Sequence, residues 1–181
     1  MTPKETLIEE LRAHALVIGE VTLTSGATAQ YYVDAKRAIL LPRAFLALGE
    51  LVADFARSVD ATAVGGTTMG ADPVACSALA AGFDGKAFFV RKESKQHGLA
   101  RKIEGPLLDG NDRCVVVEDI VTTGGSTVLS IEALREAGHE IVGVISVLDR
   151  LAGGAETIAG ATDAPYVACT TIDDIYPERP V

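Results

Sequence analysis

The stretch from Cys114 to Thr127, CVVVEDIVTTGGST, limits what this chain can fold into more than any other. The β-branched run Val115-Val116-Val117 suits a strand buried on both faces, as in a parallel sheet. Glu118 and Asp119 follow at its C-terminal end. Next comes a small-residue loop, Thr122-Thr123-Gly124-Gly125-Ser126-Thr127, and then a helical pattern of Val128, Leu129, Ile131 and Leu134 up to Gly138. A loop opening a helix in this way presents free N–H groups and the positive end of the helix dipole, a setting for an anion such as phosphate. Two carboxylates do not serve a phosphate. They suit hydroxyl groups or a hydrated cation beside it, so the stretch describes a sugar phosphate site.

A second corner of the same kind lies upstream. Ala61-Thr62-Ala63-Val64 reads as a short strand entering Gly65-Gly66-Thr67-Thr68-Met69-Gly70, and Asp72-Pro73 reads as N-cap and first turn of a helix ending near Gly82. One such turn is weak evidence. Two in 181 residues are more telling, as two possible anion cradles.

Charge sharpens the point. The formal net charge is −9, which argues against a nucleic-acid surface. An acidic chain that binds a strongly anionic ligand must gather positive charge locally. Residues 91–105 do so, with five Arg/Lys residues and His97 within the dozen positions from Arg91 to Lys102. A polar connection this long inside a compact domain reads as a functional lid, a disordered segment or a solvated charge run.

The remaining pattern alternates strand and helix. Thr2-Pro3-Lys4-Glu5 has the form of a capping box opening a helix over about residues 3–16. Val21–Thr24, Ser25-Gly26 and Tyr31–Asp34 read as a hairpin outside the main sheet. Pro42 opens a long helix with Phe45, Leu48, Leu51, Val52 and Phe55 on one face. Lys86–Val90, Ile141–Leu148 and Pro165–Thr170 read as further strands. Arg150 follows Asp149 at a strand's C-terminal end, the ligand-binding edge of a parallel sheet. Its guanidinium can grip a carboxylate or an imide edge bidentately. Residues 151–181 suggest no chemistry. The expected fold is α/β: a doubly wound, mainly parallel central sheet with a small N-terminal hood. It is expected as a single domain over 1–181, with helix and hood in about 1–40, the α/β core in about 42–181 and the lid at 91–105. Three cysteines without a CxxC pair fit reduced, buried thiols in the cytoplasm. No run of residues is apolar enough for a membrane span, so no membrane partner is expected.

The apolar run, acid pair and small-residue loop resemble the phosphoribosyl pyrophosphate (PRPP) motif of the type I phosphoribosyltransferases. TLTSGATAQYYVD resembles the hood, and RKESKQHG the catalytic loop, of orotate phosphoribosyltransferases. The likeness runs from about Val21 to Arg150. It implies transfer of 5-phosphoribosyl from PRPP to orotate, giving orotidine 5′-monophosphate and pyrophosphate in pyrimidine synthesis. It implies Lys92, Lys95, His97 and Asp119 as catalytic residues. PRPP would be held by Arg91, Lys92, Lys95, His97, Glu118, Asp119, Ile120, Val121, Thr122, Thr123, Gly124, Gly125, Ser126, Thr67 and Thr68. Orotate would be held by Thr122, Arg150, Tyr31 and Tyr32. It also implies Mg²⁺ carried mainly by PRPP and water, and a homodimer in which each lid reaches the neighbouring site. Two departures stand out: Thr24 and Met69 occupy positions where many relatives have lysine. Two other readings stay open, transfer to another base and a PRPP-sensing regulator without catalysis.

Overall fold

The computed structural model describes residues 1–22, 28–92 and 102–180. The N-terminal capping box is formed: the Thr2 hydroxyl accepts from the Glu5 N–H at 3.2 Å, and Glu5 accepts from the Thr2 N–H at 2.8 Å. It opens α1 (Pro3–Glu10), which runs on as a π-helical turn, Leu11–Ala15. Two strands, β1 (Leu16–Thr22) and β2 (Thr28–Val33), pair antiparallel in a sheet of their own, the expected hood. Two helices follow, α2 (Lys36–Ile39) and α3 (Pro42–Ser58).

The core alternates β3 (Ala63–Thr67), α4 (Ala71–Ala80), β4 (Lys86–Val90), β5 (Ile103–Glu104), β6 (Arg113–Val121) and α5 (Gly125–Glu136). It continues through β7 (Glu140–Asp149), α6 (Gly154–Ala161), β8 (Tyr166–Thr171) and α7 (Ile172–Ile175). The sheet order is β5-β4-β3-β6-β7-β8, with only the short β5 antiparallel to its neighbour. The doubly wound, mainly parallel architecture is therefore as expected. From β3 the chain steps outward to β4, and from β6 it steps the other way to β7 and β8. The reversal opens a crevice at the C-terminal ends of β3 and β6, where ligands bind in such sheets.

Period-two alternation explains the apolar run of β6. Val115 and Val117 join the core beneath α3 and α4, while Cys114 and Val116 join the core beneath α5 and α6. All four are fully buried. On α3 the buried face is smaller than the aromatic spacing suggests. Leu48 and Val52 are buried with Ala44, Ala47, Gly49, Ala53 and Ala56, whereas Phe45, Leu51 and Phe55 are only partly covered.

Two boundaries differ from expectation. Gly65 and Gly66 lie inside β3, not in the loop after it. They are there for close packing: a Cβ on Gly65 would fall 2.0 Å from the Phe88 carbonyl oxygen, and one on Gly66 2.0 Å from that of Val117. Asp72 is the second residue of α4 and not its N-cap, because α4 starts at Ala71. Its carboxylate instead accepts from the Thr68 hydroxyl at 2.7 Å, which ties the loop to the helix.

Candidate active site

Both small-residue loops lie at the C-terminal edge of the sheet, one after β3 and one after β6. The first contains a cis peptide between Thr68 and Met69. The second turns at Gly124, whose φ of 83° is a left-handed conformation natural to glycine, and α5 starts at the next residue. Thr122 is half-buried, and Thr123, Gly125 and Ser126 are exposed. The two loops are bonded together. The Thr67 hydroxyl donates to the Ser126 carbonyl at 2.8 Å and lies 2.7 Å from the Ser130 hydroxyl. That hydroxyl is thus committed inside the protein, while Thr68 lies nearer the surface.

The acid pair sits between the loops, two residues short of the end of β6. Glu118 is 4% exposed. Burial pushes its carboxyl up to about 8, reinforced by the adjacent Asp119 carboxyl, so it keeps its proton at neutral pH. The Thr127 hydroxyl turns inward to it at 3.5 Å and not out to the loop's mouth. Asp119 is held at both oxygens, with Oδ1 accepting from the Ile120 N–H at 2.9 Å and Oδ2 lying 3.4 Å from the Lys36 ammonium. It presses on the first loop, where a Cβ on Gly70 would fall 2.3 Å from Asp119 Oδ1. The acids therefore touch both small-residue loops.

Arg150 is anchored by its backbone, which donates to the Val121 carbonyl at 2.9 Å. Its guanidinium carbon stands 5.4 Å from the centre of the Tyr31 ring, within cation–π range. The preceding Asp149 is buried, accepting from the Leu151 N–H at 2.7 Å and the Tyr166 hydroxyl at 3.0 Å. Strand alternation sends Tyr32 to the opposite face of the hood from Tyr31, and it is exposed.

At the end of β4, the strand is tied to the first loop by the Thr68 N–H donating to the Val90 carbonyl at 2.9 Å. Arg91 and Lys92 leave the sheet from there. Arg91 pairs with Glu104 at 3.6 Å, and Lys92 is exposed. Lys95 and His97 lie outside the described residues, as does Thr24. Met69 is 73% exposed on the first loop.

Four residues were missed in the sequence. Lys36 carries no local signal in the sequence. Gly154, Tyr166 and Tyr176 fall in the segment from which no chemistry was expected. A Cβ on Gly154 would fall 2.8 Å from the Thr122 carbonyl oxygen and 3.3 Å from the Gly124 nitrogen, so α6 backs the second loop. Tyr176 sets its ring edge-on to Tyr31 at 5.5 Å. The paired glycines at 153–154 were the available signal for the first of these.

Residues 48–173 match the phosphoribosyl transferase domain family. An orotate phosphoribosyltransferase of Streptomyces avermitilis is 48% identical over 88% of this chain and 90% of its own length. The orotate phosphoribosyltransferase of Mycobacterium tuberculosis H37Rv, solved with Fe(III) dicitrate, superposes with a TM-score of 0.87 at 40% identity, covering 96% of this chain and 99% of that one. The same enzyme solved with PRPP gives 0.82 at 37% identity, covering 96% and 98%.

Proposed function

This chain belongs to the phosphoribosyl transferase family and, within it, to the orotate phosphoribosyltransferases, and on that premise we propose that it transfers 5-phosphoribosyl from PRPP to orotate. The products are orotidine 5′-monophosphate and pyrophosphate, a step of pyrimidine synthesis. The observation that carries the reading is the bonded pair of anion loops with the acids between them and Arg150 alongside.

The orotate ring nitrogen forms the new bond to the anomeric carbon, and the carbon–oxygen bond to pyrophosphate breaks with its electron pair leaving on oxygen. Positive charge gathers on the ribose ring and negative charge on the leaving group. Glu118 and Asp119 take the ribose hydroxyls. A protonated carboxyl beside an ion-paired one offers a donor as well as acceptors, and Asp119 favours the cationic ring. Ile120 to Ser126 cradle the 5′-phosphate with backbone N–H groups and hydroxyls. Thr68 with the first loop, and Arg91, Lys92, Lys95 and His97 of the lid, neutralise the departing pyrophosphate and exclude water. Thr67 contributes by holding the two loops together. Thr122 and Arg150 orient orotate, with Tyr31 beneath the guanidinium and Tyr32 on the opposite, exposed face of the hood.

The residues fit a Mg²⁺ that arrives on the substrate. Among the described residues no three His, Cys, Asp or Glu side chains converge as a ligand cage. We propose that the ion would be carried mainly by PRPP oxygens and water, with Glu118 and Asp119 beside it. The ion's contribution when bound is to offset charge on the pyrophosphate. We further propose a cytoplasmic homodimer whose lids are shared between subunits. Among the described residues no helix is long and apolar enough to cross a membrane.

Orotate and PRPP incubated with Mg²⁺ should lose the orotate absorbance and release pyrophosphate, and chelation of Mg²⁺ should suppress both. Turnover of adenine, hypoxanthine or uracil without turnover of orotate would overturn the reading.

A further inference from the structure

We propose that Lys36 is a positioning residue for the transfer reaction: it presets Asp119 for the ribose and links that acid to the hood. This rests on the function proposed above. Lys36 opens α2, just after β2 leaves the hood. Its ammonium lies 2.9 Å from Asp34 Oδ1 and 3.4 Å from Asp119 Oδ2, bridging two carboxylates. Asp34 is itself fixed. Its N–H donates to the Ala15 carbonyl at 3.0 Å, and its carboxylate also accepts from the Lys36 N–H at 3.2 Å. A continuous path therefore runs from the backbone at Ala15, where the π-helical turn meets the hood, through Asp34 and Lys36 to Asp119.

Asp119 needs this partner. Its side chain is only 13% exposed and stands beside the buried Glu118, with Asp34 close by. Asp34 and Asp119 share the one ammonium, with Glu118 adjacent in the chain, and among the described residues Lys36 is the cation paired with both. The Ile120 N–H fixes one Asp119 oxygen and Lys36 the other, so the carboxylate plane is set before any ribose hydroxyl arrives. The ammonium stays charged. Burial works against it, but the hydrogen bond to Asp34 and the charge of Asp119 outweigh that cost. Its partner Asp119 presses on the first loop at Gly70, where the neighbouring Met69 brings no charge. Without Lys36, Asp119 would keep a single fixed oxygen and turn toward whatever donor it found, and the ribose would have to reorder it on binding.

The test uses Lys36→Met, which keeps length and removes charge, and Lys36→Arg, which restores charge. Each is compared with the wild-type protein by calorimetric titration with PRPP and Mg²⁺, and by steady-state kinetics with both substrates. Lys36→Met should weaken PRPP binding and raise the KM for PRPP by about tenfold, the size of one charge-assisted contact. Its KM for orotate should stay within about twofold and its Tm close to wild type. Lys36→Arg should recover most of the loss. The proposal is overturned if Lys36→Met binds PRPP like wild type, if arginine rescues nothing, or if both KM values rise together with a fall in Tm. The calorimetric arm does not depend on the acceptor base. A wild-type protein that binds PRPP but leaves orotate untouched would sink the proposed function while still deciding the role of Lys36.

Discussion

Arg150 and Tyr31 are 119 positions apart in sequence, yet the guanidinium carbon of one stands 5.4 Å from the ring centre of the other. Tyr31 comes from the hood and Arg150 from the end of β7, so this contact closes the hood onto the sheet. Tyr176 braces the ring from α7. The hydroxyl contact from Arg150 Nη2 is long, at 3.4 Å, so the ring face does more than the hydroxyl.

That ranking gives a first prediction. Tyr31→Phe keeps the ring and should leave the KM for orotate within about twofold. Tyr31→Ala should lose a cation–π contact of about 1–2 kcal/mol, roughly five- to thirtyfold in KM for orotate. The KM for PRPP should barely move. Steady-state kinetics with each substrate varied in turn will show whether the two variants separate.

Glu118 should make stability fall with rising pH. Its ordinary value is 4.5 and in the folded protein it is about 8. Between those values the folded chain holds a proton that the unfolded chain has lost, so stability declines across that window and the full penalty stands above pH 8. Glu118→Gln is always neutral. Its Tm should exceed that of wild type by several degrees at pH 9, with the gap closing toward pH 5. A gap that stays constant from pH 5 to 9 would contradict the assignment.

The backing of the phosphate loop can be probed within one helix. Gly154→Ala would bring a Cβ to 2.3 Å from Val121 Cγ1 and 2.8 Å from the Thr122 carbonyl oxygen. It should raise the KM for PRPP by about tenfold and lower Tm. Gly160→Ala, also in α6, meets nothing within 4 Å. It should leave kinetics unchanged and add about 0.5–1 kcal/mol of stability. Equal effects at the two sites would show that loop backing is not what Gly154 provides.

Subunit sharing of the lid predicts rescue in mixtures. Lys95→Ala alone should lose turnover by about a hundredfold or more with little change in Tm. Asp119→Asn alone should also be nearly inactive. Mixing the two after subunit exchange should restore up to about a quarter of wild-type activity, because hybrid dimers carry one intact composite site. Activity no greater than the sum of the separate variants would argue for lids that serve their own subunit.

Much of this was legible in sequence because local chemistry announced it. Val115–Val117 could only be a strand covered on both sides, and the capping box at Thr2 and Glu5 formed as spelled. The loop at Thr122–Ser126 follows from glycine and hydroxyl residues opening a helix. What stayed hidden depends on distance in space. Nothing local marks Lys36 as the partner of a carboxylate 83 positions away. Gly65 and Gly66 read as loop residues because a glycine required by a neighbouring carbonyl looks the same in sequence as one required by a turn. Thr67 and Thr127 read as ligand hydroxyls, but packing turned Thr67 toward Ser126 and Thr127 toward Glu118.

The bond from Thr67 to the Ser126 carbonyl makes the two anion cradles a gauge of fixed length. Their separation is set by neighbouring strands of one sheet. On the proposed function, the sugar's two charged ends would be met by loops of one sheet and the base by Arg150 and the hood. Such a division lets the hood diverge toward a different heterocycle while the gauge stays set for the same donor.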